Sequence, residues 1–362
     1  MYILSMRYRA SLCVLRGLHI VASLAKRILR RIRRRFVSSG RKLESATDQH
    51  NRLILTGARK LGLRAEELPT KFLRISDGKK VIYSRESSFS FESLTAFWMC
   101  GDKHLTSLLL KEAGVPVPEF SVFHSSDLRS AFSSFHKLSP PLVVKPCRGS
   151  GGRGITVGIQ TMRQFRRAVY RAALTTDRVV VERYVPGRHW RITLLDGELL
   201  FAQERLHAFV VGDGKSSIRA LVNRYNNSIV LRDGFLVSHP VHIDGETYAA
   251  LQGQDLTPSS VPKAGRNVSV KRICNAAAGG RTIDVTGSLH DDYLDLARRA
   301  ASTMGARLAG VDLIAPDITV GKDGDCAVVN EVNTSPGLMD YDVSGSDNAP
   351  EYVGRLLSMI FF

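Results

Sequence analysis

A mixed α+β fold is what this sequence predicts, and three observations predict it. Apolar runs rich in β-branched residues recur in pairs around short turn signals, as in Trp190–Leu195 and Glu198–Gln203 about Asp196-Gly197, the pattern of antiparallel hairpins. Helical stretches stand between those runs, about Met162 to Thr175 and Asp291 to Met304. The strand ending at Pro146 leads through Gly149-Ser150-Gly151-Gly152-Arg153-Gly154 into another β-branched strand, Ile155–Ile159. A doubly wound dinucleotide-binding unit would need a helix there instead. At 362 residues the chain is long enough for two domains, or one large one with subdivisions.

The formal charge is +17, and it is unevenly placed. Residues 1–42 hold twelve Lys or Arg and no Asp or Glu, which leaves +5 for the other 320 residues. A body so near neutrality argues against a specific nucleic-acid-binding surface, which needs cations clustered on the folded domain. The five cysteines, Cys13, Cys100, Cys147, Cys274 and Cys326, lie far apart with no CxxC. That pattern argues against a disulfide framework or a zinc site and fits a reducing, cytoplasmic compartment.

The first segment is expected to form a basic amphipathic leader helix. On a helical wheel Leu18, Val21, Ala22, Ile28, Leu29, Ile32 and Phe36 fall within about 60° of Ala25. Lys26, Arg27, Arg30, Arg31, Arg33, Arg34 and Arg35 fall at about 80° or more. The uncharged run from Gly17 to Ala25 is too short to span a bilayer. Peripheral contact with an anionic membrane through residues 18–36, at the inner face, is the functional reading. Docking on the protein's own body or a partner, or service as a targeting peptide, fits the same pattern.

Further elements follow in order. Leu53 to Leu63 reads as a helix, and Phe72 to Tyr83 as two short strands about Asp77-Gly78. Asp102-Lys103 opens a helix that stops after Ala113, because Gly114 follows and Pro116 and Pro118 lie beyond. A strand over Glu119–Phe123, a helix from about Asp127 to Lys137 and a strand over Pro141–Pro146 come next. Val179–Val185 is another strand, ended by Pro186-Gly187. Residues 226–280 read as an inserted, loop-rich region.

Two stretches carry chemistry. The glycine loop at 149–154 is not followed by Gly-Lys-Ser/Thr, so it is not a Walker A loop. Protein kinases place their lysine after such a loop and carry His-Arg-Asp and Asp-Phe-Gly, whereas here Lys145 precedes it and neither motif exists. Strand–glycine loop–strand is how a phosphate lid is built, with backbone N–H groups folded over the phosphates. The second stretch is Val328-Val-Asn-Glu331-Val-Asn333-Thr-Ser-Pro336-Gly337. Glu331 and Asn333, two apart, leave one face of a strand. The turn signal Lys322-Asp323-Gly324-Asp325 lets this strand pair with Gly310–Ile314 and bring Asp312 beside Glu331. Two carboxylates and an amide are hard oxygen donors suited to Mg2+.

Together these blocks resemble the ATP-grasp superfamily, in particular the ligase module of cyanophycin synthetases and bifunctional glutathione synthetases. The resemblance runs over roughly residues 95–343. It is carried by Asp102-Lys103, Gly114-Val-Pro-Val-Pro118, Val143-Val-Lys145-Pro146, the 149–154 loop and Val181-Glu182-Arg-Tyr-Val-Pro-Gly187. It continues with Trp190-Arg191, Val211-Gly-Asp-Gly214, Ile283-Asp-Val-Thr286, Gly310-Val-Asp312 and Glu331-Val-Asn333. It implies an ATP-grasp fold, two α+β subdomains clasping ATP. The expected segments are a leader (1–43), a small N-terminal α/β region (44–95), subdomain 1 with the lid (96–178), subdomain 2 with metal site and insert (179–344), and a C-terminal tail (345–362).

The activity implied is ATP-dependent carboxylate–amine ligation through an acylphosphate, on an amino acid or small peptide. By that resemblance Lys103 and Lys145 meet the phosphates, and Ser150, Gly151, Gly152, Arg153 and Gly154 close over the γ-phosphate. Glu182 meets the adenine amine with the backbone of Arg183 to Val185 beside it, and His189 stands at the ribose position. Asp312, Glu331 and Asn333 hold two Mg2+, or Mn2+ in their place. Arg191 lies near the transferring phosphoryl group, and Arg272 and Asn275 near substrate and intermediate. A homo-oligomer is implied by analogy alone. The sequence departs from the family at His189, which usually is an acid, at Ser150-Gly151, usually Asn-His, and at Ala276-Ala277-Ala278, usually Ser/Thr. The chain is also expected to lack the Mur-ligase-like half of cyanophycin synthetase. The competing reading is a catalytically idle ATP-binding module anchored by its leader.

Overall fold

Every strand pair among the described residues is antiparallel, and the short turns within β2–β3 and β9–β10 require it of those hairpins. The computed structural model describes residues 46–228, 231–232, 235–236, 240–274, 279–321, 327–338 and 349–362. The expected leader helix, Asn275, Ala276–Ala278 and the Lys322–Asp325 turn lie outside the described residues.

In chain order, the helix Ala46–Lys60 is followed by strands β1 (Arg64–Glu67), β2 (Leu73–Ser76), β3 (Val81–Arg85) and β4 (Ser88–Phe89), paired in that order as one sheet. The two strands expected about Asp77-Gly78 are β2 and β3, with Ile75 opposite Ile82. After the helices Leu94–Cys100 and Lys103–Glu112 come β5 (Phe120–His124), β6 (Leu142–Pro146), β7 (Thr156–Ile159) and β8 (Arg178–Arg183). Then follow β9 (Arg188–Leu195), β10 (Glu198–Leu206), β11 (Phe209–Val211), the two-residue strands β12 (Leu231–Arg232) and β13 (Phe235–Leu236), and β14 (Asn267–Ser269). Last are β15 (Arg281–Asp284), the helix Asp291–Thr303, β16 (Leu308–Ala315), β17 (Val328–Asn333) and the helix Ala349–Phe361.

The chain divides into two compact units. Asp102–His104 and Pro118–Tyr184 form the first among the described residues. Its sheet, in the order β5-β8-β6-β7, is covered by the helices Leu128–Leu138 and Met162–Ala173. Asp127 caps the first of these by accepting from the Ser130 N–H, and Thr161 with Gln164 forms a capping box on the second. Phe123, Phe135, Leu142, Val144, Phe165, Val169, Val179 and Val181 make the core. The expected subdomain boundary at residue 178 falls at the start of β8, an inner strand of this sheet.

The second unit contains 46–101, 105–117 and the described residues from Val185 to Phe362. Its main sheet runs β15-β10-β9-β16-β17. One face packs Trp190, Ile192, Leu194, Val311, Leu313 and Val332 with Tyr293, Leu296, Ala297 and Ala300 of the helix Asp291–Thr303. A second core joins Leu53, Ile54, Leu73, Ile75 and Ile82 to Phe201, Leu308, Val353, Leu356 and Leu357. The expected N-terminal region and C-terminal tail are thus parts of one core: the last helix is amphipathic and buries its apolar stripe there.

Residues 226–280, expected to be an inserted, loop-rich region, hold among the described residues the end of the helix Ile218–Ser228, the short strands β12, β13 and β14 and the helix Gly245–Gln252, with irregular backbone between them. The helices Ile218–Ser228 and Gly245–Gln252 and the β11–β14 pair enclose their own core of Val210, Ile218, Leu221, Val222, Val241, Leu251, Val268 and Val270. Ile218, Leu221, Val222 and Tyr225 recur at helical spacing, and tertiary packing brings them against the more scattered Val210, Val241, Leu251 and Val268.

Candidate active site

In the first unit, β6 and β8 are adjacent strands, β6 buried throughout and β8 buried from Val179 to Glu182. Lys145 pairs with Val180 and Glu182 with Val143, so the two ionic side chains are diagonal neighbours on one face. They meet at 2.6 Å between Nζ and Oε2, with their side chains 7% and 5% exposed. A lysine and a glutamate survive that burial because each supplies the other's counter-charge. Lys103 follows the Asp102 turn, and its Nζ donates to the Gly149 carbonyl at 3.2 Å. Arg148 donates to Asp102 at 3.2 Å. This ties the start of the glycine loop to Lys103.

The glycine loop stands between two paired strands, Leu142 being opposite Ile159 and Val144 opposite Thr156. Gly151, Gly152 and Gly154 have φ of 68°, 72° and 77°, a backbone that only glycine adopts cheaply. A Cβ on Gly154 would also come within 3.2 Å of Thr175 Oγ1. Ser150, Gly151 and Arg153 are exposed. Arg183 is exposed too, held by Glu119 at 3.0 Å and by the Leu138 carbonyl at 3.1 Å. Burial pushes the Cys147 thiol up to about 11, so it is not a nucleophile at neutral pH.

In the second unit, the pairing expected from sequence is present: Asp312 lies directly opposite Glu331, and Gly310 opposite Asn333. Arg191 lies opposite Asp312 on the other side. Arg191 donates from Nε to Oδ1 at 2.5 Å and from Nη2 to Oδ2 at 2.8 Å, the two-pronged geometry that an arginine and a carboxylate favour. Arg205 of β10 approaches Asp312 Oδ1 at 3.3 Å. Burial opposes ionisation of Asp312, but the charges of Arg191 and Arg205 outweigh it and hold the carboxyl below the usual carboxylate range. Gly310 is required beside them: a Cβ there would fall 2.6 Å from Arg191 Nη1 and 2.9 Å from Pro336 Cβ.

His189 is half-buried, its ring 6.1 Å from that of His207. Cys274 Sγ lies 3.2 Å from Nδ1 of His207. Burial pushes the Cys274 thiol up to about 12 and the His207 imidazole down, so this contact joins two neutral groups. Arg272 is exposed, and its guanidinium covers Gly253 at the end of the helix Gly245–Gln252. Its backbone N–H donates to Glu246 at 3.1 Å. Val185 is half-buried at the start of this unit.

Sequence reasoning missed Arg205, Gln203 and Thr193, which share the polar face with Arg191. Gln203 Nε2 and Thr193 Oγ1 are buried with no hydrogen-bond partner. A buried polar group left unpaired costs about 1–3 kcal/mol. Gln203 and Arg205 follow the apolar run Leu199–Ala202 with no alternation to assign their faces, and the register that assigns them is set by a bulge between Leu199 and Phe201.

Among the described residues no three His, Cys, Asp or Glu side chains cluster as a metal-binding group. Asp312, Glu331 and Asn333 instead offer two carboxylates and an amide on neighbouring positions of one face. That set fits a hard cation that takes its other ligands from phosphate and water, as Mg2+ does. No helix among the described residues is long and apolar enough to cross a membrane.

The chain is similar to known proteins along most of its length. Residues 88–182 match the model of the sugar-transfer associated ATP-grasp family. A cyanophycin synthetase of Trichormus variabilis is 31% identical over 313 residues, 85% of this chain and 34% of that protein. A glutathione biosynthesis bifunctional protein of Streptococcus thermophilus is 30% identical over 266 residues, 72% of this chain and 35% of that protein. The chain therefore spans about a third of the length of these curated relatives. The crystal structure of a bifunctional glutathione synthetase from Pasteurella multocida superimposes with a TM-score of 0.58 at 27% identity, covering 86% of this chain and 43% of that one.

Proposed function

Since this chain has the ATP-grasp fold and resembles the ligase module of cyanophycin synthetases and bifunctional glutathione synthetases, we propose that it is an ATP-dependent carboxylate–amine ligase. It forms an amide or peptide bond on an amino acid or small peptide and releases ADP and phosphate. The observation that carries this reading is the row Arg191–Asp312–Glu331 across three adjacent strands. Such a row sets one fixed cation beside two carboxylates on a rigid sheet, an arrangement in which the carboxylates would hold a divalent cation and the guanidinium and that cation together would neutralise a phosphoryl group.

The chemistry explains why those charges are needed. A carboxylate is a poor electrophile, because its charge repels an amine and oxide is a hopeless leaving group. In the reaction proposed, a carboxylate oxygen attacks the γ-phosphorus of ATP and the bond to ADP breaks. The amine then attacks the acyl carbon, the carbon–oxygen bond to phosphate breaks, and the amine proton passes to solvent or a base. Phosphoryl transfer is catalysed by positioning and charge neutralisation. Lys103 and Lys145 contact the phosphates in this reading, and the backbone N–H groups of Ser150 to Gly154 cover the γ-phosphate and keep water from the acylphosphate. Glu182 and the backbone of Arg183 to Val185 take the adenine, and His189 stands at the ribose. Arg191 neutralises the transferring phosphoryl group, and Arg272 and Asn275 contact substrate. Asp312, Glu331 and Asn333 would hold Mg2+, which supplies further charge neutralisation when bound. Arg191 is bonded to Asp312, so each role assigned to one of them depends on the other.

The test is ADP release with Mg-ATP and pools of amino acids and dipeptides, with hydroxylamine present to trap an acylphosphate. Glu331→Gln runs beside it. A hydroxamate that forms with one pool and is lost in the variant is the expected result. Tight ATP binding with no turnover across broad pools would instead favour an idle ATP-binding module.

A further inference from the structure

Residues that pair directly across a sheet share a face. One such row crosses all five strands of the main sheet: Asp284, Gln203, Arg191, Asp312, Glu331. Gln203 sits in it between two side chains that are committed elsewhere. Asp284 accepts from the Thr286 hydroxyl at 2.6 Å and the Thr286 N–H at 2.8 Å, and from the Tyr352 hydroxyl. Arg191 donates to both oxygens of Asp312. Gln203 itself is 3% exposed, and its Nε2 has no acceptor. In the adjoining row Thr193, 0% exposed, lies between Phe201 and Gly310, and its hydroxyl has no partner either.

Buried donors of this kind are rare in folded proteins and call for an acceptor. The surroundings say what sort. Arg191 and Arg205 lie on the same face, so the acceptor is an oxygen with full or partial negative charge. A neutral amide adds direction and not charge, which suits a substrate oxygen whose position must be read more than a phosphate that must be neutralised.

We propose that Gln203, with the Thr193 hydroxyl beside it, binds an oxygen of the acid substrate other than those of the carboxylate that is activated. The inference rests on the ligase reading and deepens it. The donor acid is then one with a second acceptor oxygen: a dicarboxylic amino acid, its amide, or a peptide. An amino acid with one carboxylate and an apolar side chain lacks that oxygen.

The experiment measures binding to the full chain by titration calorimetry, with Mg2+ and adenylyl imidodiphosphate present. The probes are aspartate, glutamate, asparagine, glutamine and alanyl-alanine, with alanine and valine as controls. Wild type is expected to bind at least one of the first group at least tenfold tighter than alanine. Gln203→Met, apolar and of similar length, is expected to lose at least tenfold of that affinity, hold its nucleotide affinity within twofold, and melt no lower than wild type. Thr193→Val serves in its place if that variant does not fold, with at least a threefold loss expected. Unchanged binding in the folded variant measured would mean that the polar group holds only a buried water, and the inference would fall. It would fall equally if wild type binds nucleotide but prefers none of these acids to alanine. Absence of nucleotide binding by wild type would remove the ligase reading itself, and this inference with it.

Discussion

Breaking the Lys145–Glu182 pair should loosen the first unit far more than replacing the whole pair. At 2.6 Å two unit charges attract by about 6 kcal/mol at an effective dielectric of 20. Burial of each ion costs several kcal/mol against that gain, so the pair as a whole contributes little. Removing one partner leaves the other charge buried between β6 and β8, at a cost of about 3–5 kcal/mol. Lys145→Met and Glu182→Leu should each show this penalty, and the double variant much less than their sum. Amide hydrogen exchange in Val143, Val144, Val180 and Val181, all in these two strands, measures it locally without assuming that the whole chain unfolds in one step. Each single variant should speed exchange by roughly 140- to 4000-fold, since every 1.4 kcal/mol is a factor of ten. Single variants that change exchange less than about fivefold, or a double variant whose effect equals the sum, would refute the reasoning.

Other perturbations have equally definite outcomes. Gly310→Ala places a methyl 2.6 Å from Arg191 Nη1; it should push the guanidinium off Asp312 and cut ADP release at least about tenfold, while circular dichroism stays that of wild type. Backbone N–H groups of Ser216 and Lys215 hold the Asp213 carboxyl well below its usual range. A depressed folded pKa stabilises above the unfolded value and is lost below it, so the Tm gap between wild type and Asp213→Asn should be constant above about pH 5 and close as pH falls through and below about 3.9. Deleting residues 1–42 removes twelve basic residues; co-sedimentation with phosphatidylserine vesicles should be lost, whereas equal sedimentation of both chains would end the membrane reading of the leader.

Much of this molecule was determined locally. Asp196-Gly197 turns the chain between two apolar runs, and β9 and β10 pair about it with Leu195 opposite Glu198. Capping by Asp127 and Thr161 starts two helices where their sequences begin. The glycines of the 149–154 loop have the positive φ that a strand-to-strand loop of this shape demands. Asp312 and Glu331 meet because both interrupt β-branched runs that can only be buried by pairing.

What the sequence could not decide is register and company. Counting outward from the Asp196-Gly197 turn would put Ala202 opposite Arg191. The bulge between Leu199 and Phe201 shifts the pairing by one, so Gln203 is the residue opposite Arg191 and Ala202 enters the core beneath Trp190. One inserted residue exchanges the two faces of everything beyond it. The run Leu199-Leu200-Phe201-Ala202 is apolar throughout and so expresses no preference between the two registers. Packing does, because one register puts Ala202 against the helix Asp291–Thr303, and the other would bury Gln203 and Arg205 there. That choice assembles Gln203, Arg205, Arg191 and Asp312 on one face, and only the tertiary structure makes it.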